Sequence, residues 1–380
     1  MINIDIICFS HLRWNFVFQR PQHLLSRFAR NRRVFFVEEP VFNANENHME
    51  ITIDDTHTVC IVVPHIKPGL HEEEITHAQQ FLLDNMLTSM HINKYMLWYY
   101  SPMALGYTDH LAPELIIYDC MDELSAFKFA SPLVVLREQK LLQKADVVFT
   151  GGQSLYEAKK HLHNNIYLFP SSIDKAHFNR ARFPLPAPVD QASIPHPRIG
   201  YYGVLDERLD VNMLKELAAL RPDWQFILVG PVVKIDPAEL PQRNNIHYLG
   251  SKQYSELPNY LSGWDIAMMP FALNESTRYI SPTKTPEYLA GGKPVISTPI
   301  KDVITPYEEN GLVHIAATPA LFMAAAEAIL TKTGYEEWLA NVDRFLSGIS
   351  WEQTWQNMEA LIERTIENKL NAKSKAHNYV

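Results

Sequence analysis

Short apolar segments with the character of β-strands alternate along this chain with amphipathic, helix-like segments, and they do so in two series. The first series extends from residues 2–9 to residues 166–169 and contains a long predicted helix at about 73–90. The second extends from residues 198–202 to a predicted helix at 320–330. A strand that returns to its sheet through a helix pairs in parallel with its neighbour. The alternation therefore predicts an α/β protein with doubly wound parallel sheets.

The chain of 380 residues is long enough for two such domains. A proline-rich segment without periodicity, 183–197, is the predicted linker between an N-terminal domain at 1–182 and a second domain at 198–349. A helix is predicted at 350–370, and the polar tail 371–380 is predicted to be disordered.

Composition argues against several classes of protein. The net charge of −9 disfavours a nucleic-acid partner. Cys8, Cys60 and Cys120 lie in apolar runs without disulfide or metal spacing, so we expect them to be reduced core residues. The sequence contains no signal-peptide pattern and no apolar run of the ~18 residues that a membrane span needs. We therefore expect a cytoplasmic protein.

Basic side chains at the ends of two predicted helices qualify this expectation. One group is Arg27, Arg30, Arg32 and Arg33, and the other lies at 159–163. Such groups can touch an anionic membrane surface, as in peripheral enzymes that act on lipid-linked acceptors. The simpler interpretation, which we favour, is that they complement helix dipoles and face water.

Segment 274–298 says most about function. It predicts a strand end, a polar loop, a short helix capped by Ser281 or Thr283, and then a buried strand. Lys284 lies at the start of the helix, where a cation is disfavoured unless a bound anion compensates for it. Glu287 follows one turn later, where it can accept hydrogen bonds from sugar hydroxyls. A phosphate contact and a hydroxyl acceptor one turn apart predict a nucleotide ligand.

Two stretches carry a family resemblance: Ser281-Pro-Thr-Lys-Thr-Pro-Glu-Tyr-Leu-Ala and Gly292-Lys-Pro-Val-Ile-Ser-Thr. They resemble the donor-site motif of retaining GT-B glycosyltransferases of the group 1, family 4-like type. The resemblance is closest to bacterial enzymes of surface-polysaccharide synthesis, including teichuronic-acid-type transferases, and extends over nearly the whole chain. It implies the GT-B fold, in which two facing Rossmann-like domains enclose a cleft. It also implies that the helix 350–370 crosses back onto the first domain.

The chain departs from this family at one position of the motif. The family pairs two glutamates eight residues apart, but Tyr279 stands eight residues before Glu287. Glu275, on the same loop, is the candidate replacement for the first glutamate. The departure concerns the contact to the transferred sugar rather than the nucleotide site.

Further donor-site candidates follow from glycine and cation positions in the second half. Gly203 ends a predicted strand and would let the backbone approach a diphosphate, although a lone glycine is more often a plain turn residue. Arg208 would add a charge-assisted contact, and Lys234 fits a phosphate contact and a solvated loop equally well. The resemblance implies that the loop at 250–254 helps to wrap the nucleobase. The predicted donor-binding residues are Gly203, Arg208, Lys234, Thr283, Lys284, Thr285 and Glu287.

In the first half, two aspartates follow a predicted strand. In distantly similar inverting GT-B enzymes, an aspartate in this region is the base that acts on the acceptor hydroxyl. The resemblance therefore implies Asp122 as the base, with Asp119 second and Glu275 as a further catalytic candidate. If the enzyme retains configuration, the donor phosphate takes the proton and Asp122 orients the substrates. A capping role without chemistry stays open for Asp122.

His11, Arg13 and Trp14, in the loop after the first strand, are the predicted acceptor-side residues. His11 or Arg13 would meet a phosphate and Trp14 would stack on a sugar, with simple packing as the alternative. The spacing Asp-x-x-Asp differs from the Asp-x-Asp by which GT-A transferases hold a metal. We therefore expect no metal and no cofactor apart from the nucleotide-sugar substrate.

The predicted function is transfer of a sugar from a nucleoside-diphosphate sugar, with UDP as the preferred carrier, to a hydroxyl of a glycan or lipid-linked acceptor in cell-surface polysaccharide synthesis. Two alternatives remain. A nucleotide-sugar 2-epimerase would share the two-domain layout, and a non-catalytic GT-B binding module would account for the missing first glutamate. The chain also lacks Gly-x-Gly-x-x-Gly, which weakens a dehydrogenase interpretation.

Overall fold

In the computed structural model, the described residues are 4–54, 58–331 and 333–377. They form two compact units. The first unit comprises the described residues of Met1–Ser125, Phe129–Pro170 and Trp351–Val380. The second comprises Ala126–Lys128 and the described residues of Ser171–Ser350.

An eight-stranded sheet forms the centre of the first unit. Its strands are β1 (Asp5–Phe9), β2 (Val34–Val37), β3 (His48–Asp54), β4 (Val59–His65), β5 (Tyr95–Tyr99), β6 (Leu115–Cys120), β7 (Val147–Thr150) and β8 (Ile166–Leu168). Their spatial order is β3-β4-β2-β1-β5-β6-β7-β8, and only β3 runs antiparallel to its neighbour. Strands β1, β2 and β7 are buried at every residue, as expected where helices cover both faces of a parallel sheet.

Helices connect these strands. They are α1 (Arg20–Phe28), α2 (Glu72–Ser89), α3 (Leu105–Thr108), α4 (Leu133–Lys144) and α5 (Gln153–Lys159). Leu24, Leu25 and Phe28 lie on one face of helix α1, and this face is buried in the core of the unit.

The second unit is built on a six-stranded, fully parallel sheet. Its strands are β9 (Arg198–Tyr202), β10 (Gln225–Val229), β11 (Ile246–Tyr248), β12 (Ile266–Met269), β13 (Val295–Ser297) and β14 (His314–Ile315). The order is β11-β10-β9-β12-β13-β14, so that β9 lies between β10 and β12. The chain adds β10 and β11 on one side of β9 and then β12 to β14 on its other side. Open α/β sheets bind ligands where the strand order reverses in this way, beyond the carboxyl ends of the strands.

The helices of the second unit are α6 (Lys175–Asn179), α7 (Val189–Ala192), α8 (Val211–Leu220), α9 (Leu257–Ser262), α10 (Lys284–Ala290), α11 (Lys301–Val303), α12 (Pro319–Thr331) and α13 (Tyr335–Leu346). Helix α7 lies inside the segment 183–197 that was expected to be a linker. That segment instead belongs to the second unit. Gln191 is fully buried there, donating to Tyr260 O at 3.0 Å and accepting from Trp264 Nε1 at 2.9 Å.

The last helix, α14 (Trp351–His377), belongs to the first unit and packs against α1. Trp351, Met358 and Ile362 supply its buried stripe. The helix continues through most of the tail that was expected to be disordered from residue 371, and residues 378–380 lie outside the described part of the chain.

The arginines expected at the end of the first helix are engaged by carboxylates within the first unit. Arg27 and Arg30 both bind Glu352 of α14, at 3.2 and 3.0 Å. Arg32 binds Glu359, and Arg33 binds Asp5 at 2.5 Å. Each of these four arginines thus forms an ion pair, and the side chains of Arg30 and Arg33 remain about half exposed to solvent, at 51% and 48%.

Cys8 and Cys120 are buried, Cys60 is half-buried, and all three are free thiols. The interpretation as core residues is confirmed for Cys8 and Cys120. Among the described helices, no stretch combines the length and apolar character required to traverse a bilayer.

Candidate active site

The end of strand β9 meets the start of helix α10 in the second unit. Beyond Tyr202, Gly203 adopts a φ of 143°, a conformation that favours glycine. Its N–H donates to Val229 O at 2.8 Å, which ties this turn to the end of β10. A Cβ on Gly203 would lie 2.3 Å from Cε of Lys284, so the lysine side chain rests directly on the glycine backbone. The structure thus brings two predicted donor-site residues together.

Helix α10 starts and stops close to where its sequence predicts. Thr283 is the N-cap, although its side chain makes no capping hydrogen bond, and Gly291 is the C-cap. At the C-terminal end, Arg182 Nε donates to Ala290 O at 2.7 Å. Since α10 has only seven residues, its dipole is short, and Lys284 adds a positive charge at its N-terminal end.

Glu287 lies one turn into α10 and faces the end of β9. Its Oε2 accepts a hydrogen bond from the Tyr202 hydroxyl at 2.8 Å. Burial raises the pKa of Glu287 to about 7, while the hydrogen bond from Tyr202 and the positive charge of Lys284 act in the opposite direction. This carboxyl group is therefore partly protonated near neutral pH, and a ligand that donates hydrogen bonds to it would favour the ionised form.

Tyr202 holds a fixed position beside this carboxyl group. Its backbone N–H donates to the Tyr288 hydroxyl at 2.9 Å, and its ring lies 4.7 Å from that of Tyr288 and 5.8 Å from that of Trp264. Sequence reasoning missed Tyr202 as a site residue. The available signal was its position as the last residue of a buried strand, immediately before Gly203.

Thr285 does not occupy the position predicted for it. It is fully buried, its hydroxyl lies 3.5 Å from Met269 Sδ, and its N–H donates to Pro282 O at 3.2 Å. The helical period turns this residue toward the sheet, whereas Lys284 and Glu287 remain half-buried. A donor contact from the Thr285 side chain is therefore corrected to a packing role.

Arg208 and Lys234 come together around one aromatic ring of the second unit. Their charged groups lie 5.5 and 5.4 Å from the centre of the Phe127 ring. Arg208 also donates to Asp206 through Nη2 at 2.6 Å, so part of its charge is already neutralised. Lys234 is exposed and has a φ of 63°.

Glu275, the proposed replacement for the missing first glutamate, lies in a single 3₁₀ turn at Glu275–Thr277. Its side chain is 77% exposed and sits 3.7 Å from Nη1 of Arg278, which is itself exposed. This geometry leaves the carboxylate in solvent, on a loop whose ion pair is weak.

In the first unit, Asp119 is the penultimate residue of strand β6 and is fully buried. It forms an ion pair with Arg20, at 2.8 Å from Nη2, and Arg20 Nε donates to both of its oxygens at 3.1 Å. Burial raises the pKa of Asp119, and the Arg20 guanidinium opposes that rise. Because a base must reach the proton it removes, this enclosed pair argues for a structural role, linking β6 to α1.

Asp122 lies three residues further on, in the loop between β6 and a 3₁₀ turn at Leu124–Ala126. It is half-buried, at the carboxyl edge of the sheet. This placement suits a group that meets a substrate, since parallel sheets expose their ligand-binding loops at this edge.

The loop after β1 differs from its prediction at one residue. Trp14 is 4% exposed; its Nε1 donates to Asp54 Oδ2 at 2.5 Å, and its ring packs edge-on against Phe36 at 5.0 Å. It is thus a core residue, which agrees with the packing alternative and not with stacking on a sugar. Arg13 is 40% exposed and pairs with Glu38 at 2.8 Å, and His11 is half-buried.

Comparison with known proteins relates the segment that contains these residues to a known family. Residues 196–332, which contain β9, Lys284 and Glu287, match the family model described as "Glycosyl transferases group 1". The segment is a group 1 glycosyltransferase domain. The domain's match begins within two residues of β9 and ends beside α12, so it covers the sheet on which the donor-site candidates lie.

A relative and two solved structures extend the likeness beyond this glycosyltransferase domain. The chain is 27% identical over 295 residues, 70% of this chain and 72% of the relative, to the Bacillus subtilis (strain 168) protein named "Putative teichuronic acid biosynthesis glycosyltransferase TuaH". Sucrose-phosphate synthase from Thermosynechococcus elongatus superposes with a TM-score of 0.71 at 14% identity, covering 96% of this chain and all of that one (100%). Anabaena HepE in complex with UDP and glucose gives a TM-score of 0.70 at 13% identity, with coverage of 95% and 100%.

These findings confirm the predicted fold and enzyme class. The protein is a glycosyltransferase with the GT-B fold. Across the described part of the chain, no three His, Cys, Asp or Glu side chains are grouped so as to hold a metal ion.

Proposed function

We propose that this glycosyltransferase takes its sugar from a UDP-linked donor and transfers it to a hydroxyl of a glycan or lipid-linked acceptor in cell-surface polysaccharide synthesis. The observation that carries the proposal is the junction of β9 and α10. Lys284 lies on the Gly203 turn, and the hydrogen-bonded carboxyl group of Glu287 lies one turn further along α10. This cation and this acceptor match the diphosphate and the ribose hydroxyls of a nucleoside diphosphate.

The diphosphate would lie beside the Gly203 turn, with Lys284 as its cation. Because Gly203 carries no side chain, the side chain of Lys284 can lie against its backbone, with Nζ 2.8 Å from the position that a Cβ would take. Lys284 is near the Tyr201 ring, 5.6 Å from its centre, which restricts where the ammonium group can point. Arg208 and Lys234 supply further positive charge for the leaving diphosphate.

The ribose hydroxyls would donate to Glu287. Tyr202 fixes one oxygen of that carboxyl group, so the ligand meets an acceptor that is already oriented. UDP is favoured as carrier because HepE, a structural neighbour, holds UDP and glucose, and because the relative from Bacillus subtilis is named for teichuronic acid biosynthesis.

In the transfer itself, the bond between the anomeric carbon and the diphosphate oxygen breaks, and a bond from the acceptor oxygen to that carbon forms. The acceptor hydroxyl must lose its proton. If configuration is inverted, Asp122 receives that proton; if it is retained, the departing phosphate receives it and Asp122 orients the substrates. Glu275, whose side chain is exposed in the 3₁₀ turn after β12, is the candidate for contact with the transferred sugar.

We place the reaction in the cytoplasm, where nucleotide sugars are made, with peripheral contact at the inner face of the membrane when the acceptor is lipid-linked. The arginines near α14 would contribute little to that contact, because each already binds a carboxylate.

The test is to incubate the protein with UDP-glucose and, separately, UDP-glucuronic acid, and to follow UDP release and the sugar product by NMR. Slow transfer to water, accelerated by a glycan extract, is expected for one donor. Conversion to the C2 epimer would instead support the epimerase. If UDP neither binds nor is released by the folded protein, the non-catalytic binding module becomes the better description.

A further inference from the structure

A buried lysine and two glutamates lie beneath the loop that carries Asp122 in the first unit. Lys159, at the end of α5, has a side chain that is only 5% exposed. Its Nζ is 2.8 Å from Glu123 Oε2 and 2.8 Å from Glu138 Oε1. Sequence analysis had placed this lysine among surface cations, so its burial is a new observation.

Each glutamate of this cluster also binds a second group. The Tyr118 hydroxyl donates to Glu138 Oε1 at 2.6 Å, which ties α4 to strand β6. The Ser125 hydroxyl donates to Glu123 Oε1 at 2.6 Å, which holds the far end of the loop. Although burial opposes the charge of Lys159, the facing acidic groups raise the pKa of that lysine, so the cluster is charged.

Stability alone does not explain such a cluster. Removing charges from water costs several kcal/mol per ion, and hydrophobic replacements of buried ion pairs are often neutral or stabilising. What the cluster provides here is position. Glu123 is the residue next to Asp122, and both of its oxygens are bound, so the loop cannot shift without breaking a buried charge pair.

A second contact holds the other side of the same loop. The N–H of Gly151, just after β7, donates to Cys120 O at 2.8 Å. A Cβ on Gly151 would lie 2.8 Å from both Cα and O of Met121, so the loop backbone rests directly against this glycine. Cys120 Sγ also lies 3.5 Å from Asp122 O. Asp122 is thus flanked by two residues whose positions are fixed independently.

We propose that Lys159, Glu123 and Glu138 are positioning residues that hold the Asp122 loop in the geometry needed for sugar transfer, with Gly151 as the backbone contact on the opposite side. The proposal rests on the proposed function, since it assigns the cluster to the reaction in which Asp122 takes part. None of these residues touches substrate; they act through the loop.

Two variants test the proposal from opposite sides of the loop. Glu123→Gln keeps the shape of the side chain but weakens its bond to Lys159. Gly151→Ala pushes on Met121 without removing any charge. The matched control is Lys160→Ala at the neighbouring lysine, which is about half exposed and pairs with Glu157 on the helix surface. Thermal unfolding establishes that each variant is folded.

The readouts are the kinetics of UDP release from the donor that the wild type uses, calorimetric affinity for UDP, and amide hydrogen exchange of the peptide spanning 121–126. Both loop variants are expected to lower kcat by about 10- to 100-fold, because a misplacement of about 1 Å can cost about 100-fold. KM for the donor and UDP affinity stay within twofold, and exchange accelerates only in this peptide. Lys160→Ala changes none of these.

An unchanged kcat and unchanged exchange in both loop variants would overturn the proposal. So would a loss of kcat matched by an equal loss of UDP affinity, which indicates general destabilisation. Failure of the proposed function has a different signature: the wild type itself would neither bind UDP nor release it from a donor, while exchange at 121–126 would still report whether the cluster holds the loop.

Discussion

Replacing Tyr202 by phenylalanine removes the hydroxyl that donates to Glu287 and leaves the aromatic packing in place. That hydrogen bond stabilises the ionised carboxylate against the effect of burial, which raises the pKa of Glu287 to about 7. A hydrogen bond to a charged group contributes about 1.5–3 kcal/mol, and one pKa unit corresponds to about 1.4 kcal/mol. The substitution should therefore raise the pKa of Glu287 by about one to two units, to roughly 8–9.

The assay is calorimetric titration of UDP between pH 5.5 and 9.5. Ribose hydroxyls donate to the ionised carboxylate, so affinity should rise with pH and level off above the pKa of Glu287. In the wild type the rise is centred near pH 7. In Tyr202→Phe it moves to roughly pH 8–9, and affinity at pH 7 falls by about 5- to 50-fold but recovers at high pH.

The matched control is Tyr260→Phe, which removes a similar tyrosine–carboxylate hydrogen bond to Asp190 elsewhere in the second unit, 2.8 Å long. It should leave the UDP profile unchanged. The reasoning is refuted if Tyr202→Phe keeps the wild-type profile, or if both phenylalanine variants shift it equally.

Three further predictions concern Lys284 and Glu287 in the second unit and the Arg20–Asp119 pair in the first. Lys284→Met should weaken UDP binding at least about 10-fold while leaving uridine binding within twofold, because uridine lacks the phosphates that the ammonium group would meet; equal losses for both ligands would contradict this. The folded-state pKa of Glu287 is raised from 4.5 to about 7, so its contribution of about 3 kcal/mol to folding is present below pH 4.5 and is lost as pH rises through 7. The fall in Tm over this pH window should therefore be smaller in Glu287→Gln than in the wild type. An identical fall in both proteins would exclude a raised pKa at Glu287. Arg20→Ala should cost about 3–5 kcal/mol of unfolding free energy in urea titrations because Asp119 is left buried without its partner, and a loss below about 1 kcal/mol would show that the pair is not as enclosed as described.

The parallel sheets were predictable because their strands are continuous apolar runs between turn signals. Strand β9 has the predicted bounds, 198–202, for this reason. Strand β3 was missed because it is an edge strand, mostly exposed, whose polar and apolar residues resemble a loop. The segment 183–197 was predicted to be a linker because of its prolines. Its place in the second unit depends on the buried hydrogen bonds of Gln191 with Tyr260 and Trp264, which distant parts of the chain supply only after folding.

The site was predictable only where local sequence determines it. Lys284 and Glu287 share a short helix with clear stop signals, so their relation follows from helical geometry. The partner of Arg27 and Arg30 could not be predicted from local sequence, since Glu352 is 325 and 322 residues further along the chain. The side of Trp14 could not be assigned because the sequence does not show which way a residue beside a strand end will face, and Thr285 was misassigned because the sequence does not show which face of α10 packs on the sheet.

The central claim, that the β9–α10 junction binds the nucleotide of the donor, is tested most directly by calorimetric titration of UDP, GDP and ADP into the wild type, Glu287→Gln and Glu216→Gln. Glu216 is an exposed carboxylate on α8 of the same unit and serves as the matched control. We predict micromolar binding of UDP to the wild type and to Glu216→Gln, and a loss of at least about 10-fold in Glu287→Gln. Equal binding of UDP by all three proteins, or no binding of any nucleotide by the folded wild type, would contradict the account.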